Sequence, residues 1–403
     1  MNGPPSEVPP HGQGAGWREC ALAVTASLLT LYAVEVAITP RLGTERVRHD
    51  GMLTKLHVIT ALRARGVEAF PAVYPFLFRG PNEVKLDGRA FIPLGGVADV
   101  TTVLCNEADQ IVVYRSDERG FNNPRGLWTS PADALLVGDS FTHGECVTTE
   151  ETIGGLLRRQ WPRTISLGMG GNGPLTELAG VAEFSPVLEP HTIVWLYYEG
   201  NDLLDLRHEL ADPILRRYLE PGFRQGLEAL APQVDRALRA YVAAQAAPPP
   251  PRLDSAMSVL KLRNLRRLFR AASVRMTGSD RSPTRETAAL GPPASPSEEE
   301  YATLERILQL AQRHVVGPQR LVFVYLPAWE RYGRPGGADI VRRRVLEVVR
   351  RLSVGCVDVH PDFLQHPNPM SLFMMTQGTP GHYTPEGYRI VATAIRRELE
   401  RNP

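Results

Sequence analysis

Residues 134–144, Ala-Leu-Leu-Val-Gly-Asp-Ser-Phe-Thr-His-Gly, decide the fold prediction for this chain. The apolar run is short, follows Pro131 closely and ends at Gly-Asp-Ser, which indicates a buried strand followed by a tight turn. Such a turn places the hydroxyl of Ser140 at the rim of a sheet. Ser140 is therefore a candidate nucleophile, provided that a base and oxyanion-binding groups follow later strands. The alternative is that Ser140 only caps a helix that begins near Phe141.

The composition argues against a nucleic-acid-binding protein and against a zinc site. The chain has 403 residues, enough for a large core, and its 45 basic and 44 acidic side chains nearly balance. The cysteines, Cys20, Cys105, Cys146 and Cys356, lack C-x-x-C spacing, so we expect no metal ion. Cys105 and Cys146 lie on either side of Ser140 and could pair if the domain is exported. Two buried free thiols are the alternative.

Residues 20–38 are a candidate transmembrane anchor, and a polar segment at residues 1–19 precedes them. The run holds one charged residue, Glu35. As a helix it would be about 28 Å long, enough to cross the hydrocarbon core of a bilayer. Three arginines follow the run closely, which opposes a simple positive-inside orientation. We expect a membrane anchor with the main domain outside the cytoplasm; a cleaved signal peptide and a buried soluble helix are the alternatives.

Short apolar strands alternate with amphipathic helices in residues 131–403, after a smaller α/β segment at residues 39–130. This alternation is typical of a parallel sheet covered on both faces. We predict an α/β fold, a flavodoxin-like three-layer sandwich around a five-stranded parallel sheet. The predicted strands of the sheet are Ala134–Val137, Thr164–Leu167, Thr192–Tyr197, Leu321–Leu326 and Cys356–Val359. The predicted helices are Glu150–Gln160, Leu175–Phe184, Glu299–His314, Ile340–Leu352 and Pro385–Arg401. In the preceding segment we predict a helix and two strands, at Met52–Arg65, Val100–Leu104 and Ile111–Tyr114.

An insertion at residues 203–297 separates the third and fourth predicted strands of the sheet. It begins as a helix and breaks at a proline run, residues 248–251. Residues 259–275 then combine six basic side chains with an apolar helical stripe and no acidic residue. Such a basic amphipathic helix could bind anionic lipid or an anionic polymer. A solvated lid helix that packs its stripe on the core is the alternative.

Four loops of this fold carry the residues that acyl transfer needs. They are the loops at Ser140, at residues 168–173, at residues 199–202 and at residues 381–387, which includes His382. In open parallel sheets, ligands bind beyond the carboxyl ends of the strands, so we expect these loops to converge. There Ser140 needs a general base, which His382 can supply near neutral pH.

The oxyanion of a tetrahedral intermediate needs hydrogen-bond donors. Here the predicted donors are the amides of Ser140 and Gly171 and the side-chain amide of Asn201. For His382, Thr384 is the expected N-cap of the following helix and Pro385 its first residue. Two alternatives stay open: His382 could be a loop histidine bonded to backbone, and Asn201 could be a turn residue.

These four blocks resemble the SGNH (GDSL-type) hydrolase family. Its four marker residues match Ser140 in Gly-Asp-Ser, Gly171, Asn201 in Gly-Asn-Asp and the late His382. The resemblance covers residues 133–202 and 321–400, and it implies a serine esterase that needs no metal or organic cofactor. Its expected substrate is a small-molecule or glycan ester, either a carbohydrate O-acyl group or a lipid-like ester.

The chain departs from the family pattern at two positions. Glu199 stands where the third block has a glycine, and Thr379 stands where the family has an aspartate three residues before the histidine. The resemblance then implies a Ser-His dyad, with the ring held by a backbone carbonyl or by another carboxylate. Asp358 and Asp362 are the nearest upstream candidates, although the sequence does not place either of them.

Several alternatives to the esterase remain at this point. An O-acyltransferase that modifies an exported glycan would use the same acyl-serine, and a catalytically silent binding protein would explain Thr379.

Two local alternatives also remain. His143 is another candidate base beside His382. Residues 168–173 also fit the dinucleotide pattern G-x-G-x-x-G, but the expected acidic residue falls before the next strand rather than at its end.

Overall fold

The computed structural model describes most of the chain. The described residues are 26, 30–32, 55–80, 83–86, 88–107, 110–246, 296–315, 319–333, 339–376 and 379–401. The elements listed below belong to one compact unit, formed by residues 53–246 and 291–403. The predicted basic helix at 259–275, and all but four residues of the predicted anchor at 20–38, lie outside the described residues. No helix in the described part of the chain is both long and apolar enough to cross a membrane.

The centre of the fold is a five-stranded parallel sheet. Its strands are β6 (Ala134–Val137), β7 (Thr164–Ser166), β8 (Thr192–Tyr198), β9 (Arg320–Leu326) and β10 (Gly355–Asp358). They lie in the order β10-β9-β8-β6-β7, and every neighbouring pair is parallel. Counted along the chain, this is the order 2-1-3-4-5 of flavodoxin-like sheets. The predicted architecture and its five strands are therefore confirmed, with end points that differ by one residue at most.

Helices cover both faces of this sheet. The helices of the compact unit are α1 (Lys55–Ala64), α2 (Ser140–His143), α3 (Ile153–Leu157), α4 (Pro174–Leu188), α5 (Asp202–Glu209), α6 (Pro213–Arg216), α7 (Ala231–Ala246), α8 (Glu298–Gln312), α9 (Glu330–Gly333), α10 (Asp339–Arg351), α11 (His360–Leu364) and α12 (Pro385–Arg401). Along β6 the side chains alternate between two cores. Leu135 and Val137 pack into the core that holds α4, α8 and α10, while Ala134 and Leu136 pack into the core that holds α3 and α12.

One predicted helix, Glu150–Gln160, is wrong in its extent. The structure has a short 3₁₀ turn at Thr149–Glu151 and then α3. Thr152 separates them, because its backbone is extended and its hydroxyl accepts a hydrogen bond from the Gly155 amide at 2.9 Å. A threonine that caps a new helix ends the preceding turn, and Gly154 and Gly155 weaken any longer helix.

The N-terminal part of the unit adds a second, smaller sheet with the order β1-β4-β5. Its strands are β1 (Ala69–Pro71), β4 (Thr101–Glu107) and β5 (Gln110–Arg115). β4 runs parallel to β1 and antiparallel to β5. Two hairpins complete the fold, β2 (Val84–Leu86) with β3 (Arg89–Phe91) and β11 (Phe373–Thr376) with β12 (Thr379–Tyr383). The strands predicted at Val100–Leu104 and Ile111–Tyr114 are confirmed as β4 and β5. β4 begins one residue later than predicted and ends three residues later, and β5 extends by one residue at each end.

Candidate active site

Ser140 begins α2, directly after the turn that leaves β6. The side chain of Asp139, and not that of Ser140, caps this helix, because it accepts a hydrogen bond from the Phe141 amide at 2.9 Å. The turn needs glycine at position 138, since a Cβ atom there would lie 2.0 Å from Oγ1 of Thr142. The hydroxyl of Ser140 is therefore left to contact groups outside its own helix.

The imidazole of His382 is the group that Ser140 meets. Nε2 of His382 lies 2.8 Å from Oγ of Ser140. His382 is the fourth residue of β12 rather than part of a loop, and α12 begins three residues later at Pro385. The hydroxyl of Thr384 accepts a hydrogen bond from the Gly387 amide at 3.3 Å, as expected of the N-cap. A hairpin strand on one side and a capped helix on the other hold His382 in place.

The carboxylate that holds the ring comes from Glu107, the last residue of β4. Its Oε1 lies 2.9 Å from Nδ1 of His382, and its Oε2 accepts a hydrogen bond from the His382 amide at 2.9 Å. This double contact fixes the carboxylate relative to both the ring and the backbone of His382. With Nδ1–H directed at Glu107, the lone pair of Nε2 faces the Ser140 hydroxyl.

The carboxylates that the sequence suggested for this role have other partners. Asp358 pairs with Arg342, and Asp362 pairs with Arg397. Thr379, at the family's aspartate position, is exposed at the start of β12. Glu107 therefore makes the contact with His382 for which the resemblance implied an aspartate close in sequence to the histidine. Because 275 positions separate it from His382, no short motif could have found it.

The charges around His382 favour its protonated form. Burial alone would lower the pKa of His382, but the hydrogen bond to Glu107 and the negative charges of Glu145, Glu107 and Asp139 outweigh it and raise the pKa above its usual value. Burial by itself would raise the pKa of Glu107. The hydrogen bonds and the charge of His382 outweigh the effect of burial, so the pKa of Glu107 is lowered. The imidazolium that forms when His382 takes a proton is thus stabilised in place.

A second carboxylate, that of Glu145, lies at the Nε2 side of the ring. Its Oε2 is 3.8 Å from Nε2 of His382, and its Oε1 accepts a hydrogen bond from the Tyr74 hydroxyl at 2.8 Å. Burial, followed by the charge of Glu145, raises the pKa of that hydroxyl, so Tyr74 stays a donor. Glu145 therefore adds negative charge beside His382, and nothing in the sequence motifs indicated it.

The predicted oxyanion donors include two backbone amides, those of Ser140 and Gly171. Within the described part of the chain, neither the Ser140 amide nor the Gly171 amide donates a hydrogen bond. Gly171 has a left-handed φ of +73°, and a Cβ atom there would lie 2.5 Å from the ring of Phe76. Arg79 donates a hydrogen bond to the Gly171 carbonyl at 3.0 Å. This loop is therefore held from both sides and has no room for a side chain at position 171.

Asn201 directly precedes α5. Its side-chain amide donates one hydrogen bond to Asp205 at 2.8 Å. An asparagine amide carries two N–H groups, so one donor is left for a ligand. Burial, followed by the charge of Glu209, raises the pKa of Asp205 to about 7. The contact with Asp205 sets the direction of the Asn201 amide plane.

Glu199, the departure in the third block, is part of a nearly buried ion pair with Arg331. Nε of Arg331 donates to Glu199 at 3.0 Å, and the Ala328 amide donates to the same oxygen at 3.1 Å. Glu199 thus joins the end of β8 to the segment after β9. This local role explains how the chain accommodates a glutamate where the family has glycine.

His143 is not suited to act as the base. It is buried, and its Nε2 lies 3.1 Å from the Tyr114 hydroxyl. Burial, followed by the positive charge of His382, lowers the pKa of His143 to about 3. His143 is therefore a neutral, buried residue on α2.

One group of residues in the described part of the chain has distances that suit a metal ion, namely Cys105, Glu107 and Cys146. The two sulfur atoms, however, are joined in a disulfide. A disulfide sulfur is not the thiolate that binds zinc, so this group does not fit a metal centre in the oxidised protein. The structure thereby selects the disulfide from the two states that the sequence left open for Cys105 and Cys146.

No model of a protein family matches this chain, and no curated protein matches it. Solved structures do match. A lipase/acylhydrolase from Enterococcus faecalis is 12% identical, with a TM-score of 0.35, over 67% of this chain and 96% of that one. A member of the lipolytic G-D-S-L family from Veillonella parvula is 12% identical, with a TM-score of 0.35, over 66% and 98%. A two-domain esterase active on acetylated mannans is 12% identical, with a TM-score of 0.32, over 67% and 50%.

Proposed function

We propose that this protein is a serine ester hydrolase of the SGNH type. The observation that carries the proposal is the chain of contacts from Ser140 through His382 to Glu107, with distances of 2.8 Å and 2.9 Å. A hydroxyl, an imidazole and a carboxylate in this order form an activated nucleophile. The catalytic group is then a Ser-His-Glu triad, and not the Ser-His dyad that the sequence led us to expect.

The arrangement supports a two-step acyl transfer. Oγ of Ser140 attacks the ester carbonyl carbon while its proton passes to Nε2 of His382. The tetrahedral intermediate collapses as the bond to the alcohol oxygen breaks, and His382 returns the proton to the leaving alcohol. Water then attacks the acyl-serine with His382 again as the base, which releases the acid and restores the Ser140 hydroxyl.

The amides of Ser140 and Gly171 and the side chain of Asn201 are the proposed donors to the oxyanion. Each donor of this kind is worth about 3–4 kcal/mol of barrier. Glu107 holds the ring in the tautomer that can accept the proton of Ser140 and stabilises the imidazolium that follows. The contact of Glu107 with His382 also weakens the case for a silent binding protein, because that case rested on the missing aspartate at the position of Thr379.

The substrate and the compartment are further parts of the proposal. The expected substrate is a carbohydrate O-acyl ester or a lipid-like ester, cleaved outside the cytoplasm by a membrane-anchored protein. Two features support this location: the apolar run at residues 20–38, and the disulfide between Cys105 and Cys146. Disulfides persist in oxidising compartments and are rare in the cytosol.

Ester turnover by the full-length protein tests the proposal. Wild-type protein and Ser140→Ala are compared on p-nitrophenyl acetate, on longer p-nitrophenyl esters and on an acetylated sugar. Ser371→Ala is the matched control, because its exposed hydroxyl donates only to the Asn368 carbonyl nearby. We expect hydrolysis by the wild type and by the control, and none by Ser140→Ala. Activity that survives in Ser140→Ala, or a folded wild type that cleaves no ester, contradicts the proposal.

A further inference from the structure

The disulfide between Cys105 and Cys146 joins the two segments that carry the ends of the triad. Cys105 lies in β4, two residues before Glu107, and Cys146 follows Ser140 by six residues. The Cα atoms of the two cysteines are 5.1 Å apart, and both residues are nearly buried. One covalent bond therefore connects the strand of the carboxylate to the segment of the nucleophile.

The strand geometry places the disulfide and the carboxylate on the same side. Residues two apart in a strand point to the same face, and β4 pairs regularly with β5 from Cys105 to Glu107. On the other side of the bond, Sγ of Cys146 lies 4.0 Å from Nδ1 of His382. The disulfide thus packs against the ring nitrogen that Glu107 also contacts.

Glu107 ends β4, next to the turn of the β4–β5 hairpin, and its carboxylate is held by the ring and amide of His382. Glu107 pairs with Gln110 at the tip of the β4–β5 hairpin, and the ladder goes no further. The tip of a hairpin is where strands open first, because fewer neighbours hold it. A covalent tie two residues from the tip is well placed to limit that opening.

We propose that the Cys105–Cys146 disulfide is a positioning element of the active site, which holds Glu107 against the ring of His382. The inference rests on the proposed function, because it assigns Glu107 and His382 to the catalytic triad. Reduction by a dithiol would take up two electrons, give two cysteine thiols and leave the dithiol as its own disulfide. The Glu107 carboxylate would then leave its position at the ring for part of the time.

The expected loss on reduction is 10-fold to 100-fold in kcat with little change in KM. This range follows from the cost of a misplacement of about 1 Å in a catalytic arrangement. A second expected effect is a fall in the pKa of His382. Glu145 and Asp139 would still raise that pKa, and the nearby titratable groups Lys55, His143, Tyr74, Tyr114 and Tyr388 would remain in place, so only the share due to Glu107 is lost.

A double-mutant cycle in the full-length protein tests the positioning role. It measures kcat and KM for wild type, for Cys105→Ala with Cys146→Ala, for Glu107→Gln, and for the triple variant. If the disulfide acts through Glu107, removing it lowers kcat in the wild-type background and has no further effect in the Glu107→Gln background. An equal loss in both backgrounds, or no loss in either, overturns the inference.

Dithiothreitol treatment of the wild type repeats the test without substitutions, and circular dichroism checks that the reduced protein stays folded. Cys356→Ser is the matched control, since Cys356 is a free cysteine outside the disulfide, and we expect the same response to the dithiol as in wild type.

A readout that needs no activity separates this inference from the proposed function. In Ser140→Ala protein, NMR of the imidazole follows the pKa of His382 in the oxidised and reduced states. We expect the pKa to fall on reduction, whether or not the wild type cleaves esters. An unchanged pKa of His382 shows that the disulfide does not position Glu107. A pKa that falls on reduction, together with a wild type that cleaves no ester, contradicts the proposed function and leaves the positioning role intact.

Discussion

Replacing Glu107 with glutamine tests the role that the structure gives to this carboxylate. In the wild type the carboxylate accepts hydrogen bonds from both Nδ1 and the amide of His382. Glutamine keeps the size, but its NH₂ group can donate to Nδ1. The ring then carries its proton on Nε2, the wrong nitrogen to accept a proton from Ser140.

The expected loss in kcat follows from a close precedent. In a serine protease, the equivalent change of the triad carboxylate to its amide lowers kcat by about 10⁴ through the wrong tautomer. At about 1.36 kcal/mol per factor of ten, this corresponds to about 5.4 kcal/mol of barrier. Because both contacts of Glu107 fall on one histidine, we expect the loss to lie between about 10²-fold and 10⁴-fold in this protein.

The pH profile of kcat/KM is the second part of this prediction. His382 acts as a base only when it is neutral, so activity rises with pH through its pKa. Glu107 raises that pKa in the wild type. Its removal therefore shifts the acidic limb to lower pH while the plateau falls.

The assay is ester hydrolysis from about pH 5 to 9, with Asp358→Asn as the matched control. Asp358 is one of the two candidate carboxylates from the sequence, and it pairs with Arg342 instead. We expect near-wild-type activity from Asp358→Asn. Full activity of Glu107→Gln, or a large loss in Asp358→Asn, refutes the assignment of the orienting carboxylate.

Three further predictions concern neighbouring groups. Asn201→Ala should lower kcat by about 10²-fold to 10³-fold with a smaller effect on KM, since it removes one oxyanion donor, and steady-state kinetics on p-nitrophenyl acetate measures this. Glu145→Gln should lower the pKa of His382, because a negative charge that raises it is lost, and the pH profile should shift accordingly while most of kcat remains. Glu177 is buried, and its two side-chain oxygens have no hydrogen-bond partner among the residues that the structure describes; burial, followed by the charge of Asp139, raises its pKa well above the usual value. Glu177 therefore lowers the free energy of unfolding as pH rises above the pKa of its carboxyl group in the unfolded chain. Glu177→Met should raise that free energy by about 1–3 kcal/mol at neutral pH and by less near pH 4, and chemical denaturation can measure the difference.

The sequence predicts the central sheet well for a physical reason. Strands β6, β8 and β9 are buried almost throughout, so they appear in the sequence as nearly continuous apolar runs, and glycine or proline lies close to most strand ends. The strand Ala134–Val137 and the helix Pro385–Arg401 have the predicted bounds. The helix predicted at 150–160 fails because the capping role of Thr152 depends on backbone conformation, which an amphipathic pattern does not reveal.

The candidate site is predictable only as far as local motifs reach. Ser140 and His382 each lie in a recognisable block, and the structure places them in contact. Glu107 lies in a strand of the smaller sheet and meets His382 only through the folded topology. Cys105 and Cys146 could pair or stay free as far as the sequence tells, since pairing depends on how closely β4 approaches the segment after α2.

Intact-mass analysis after treatment with a fluorophosphonate probe tests the central claim most directly. The claim is that His382 and Glu107 activate Ser140. We predict a single adduct on the full-length wild type, no adduct on Ser140→Ala, and slower labelling of Glu107→Gln. A folded wild type that takes up no probe, or an adduct that persists in Ser140→Ala, would contradict the account.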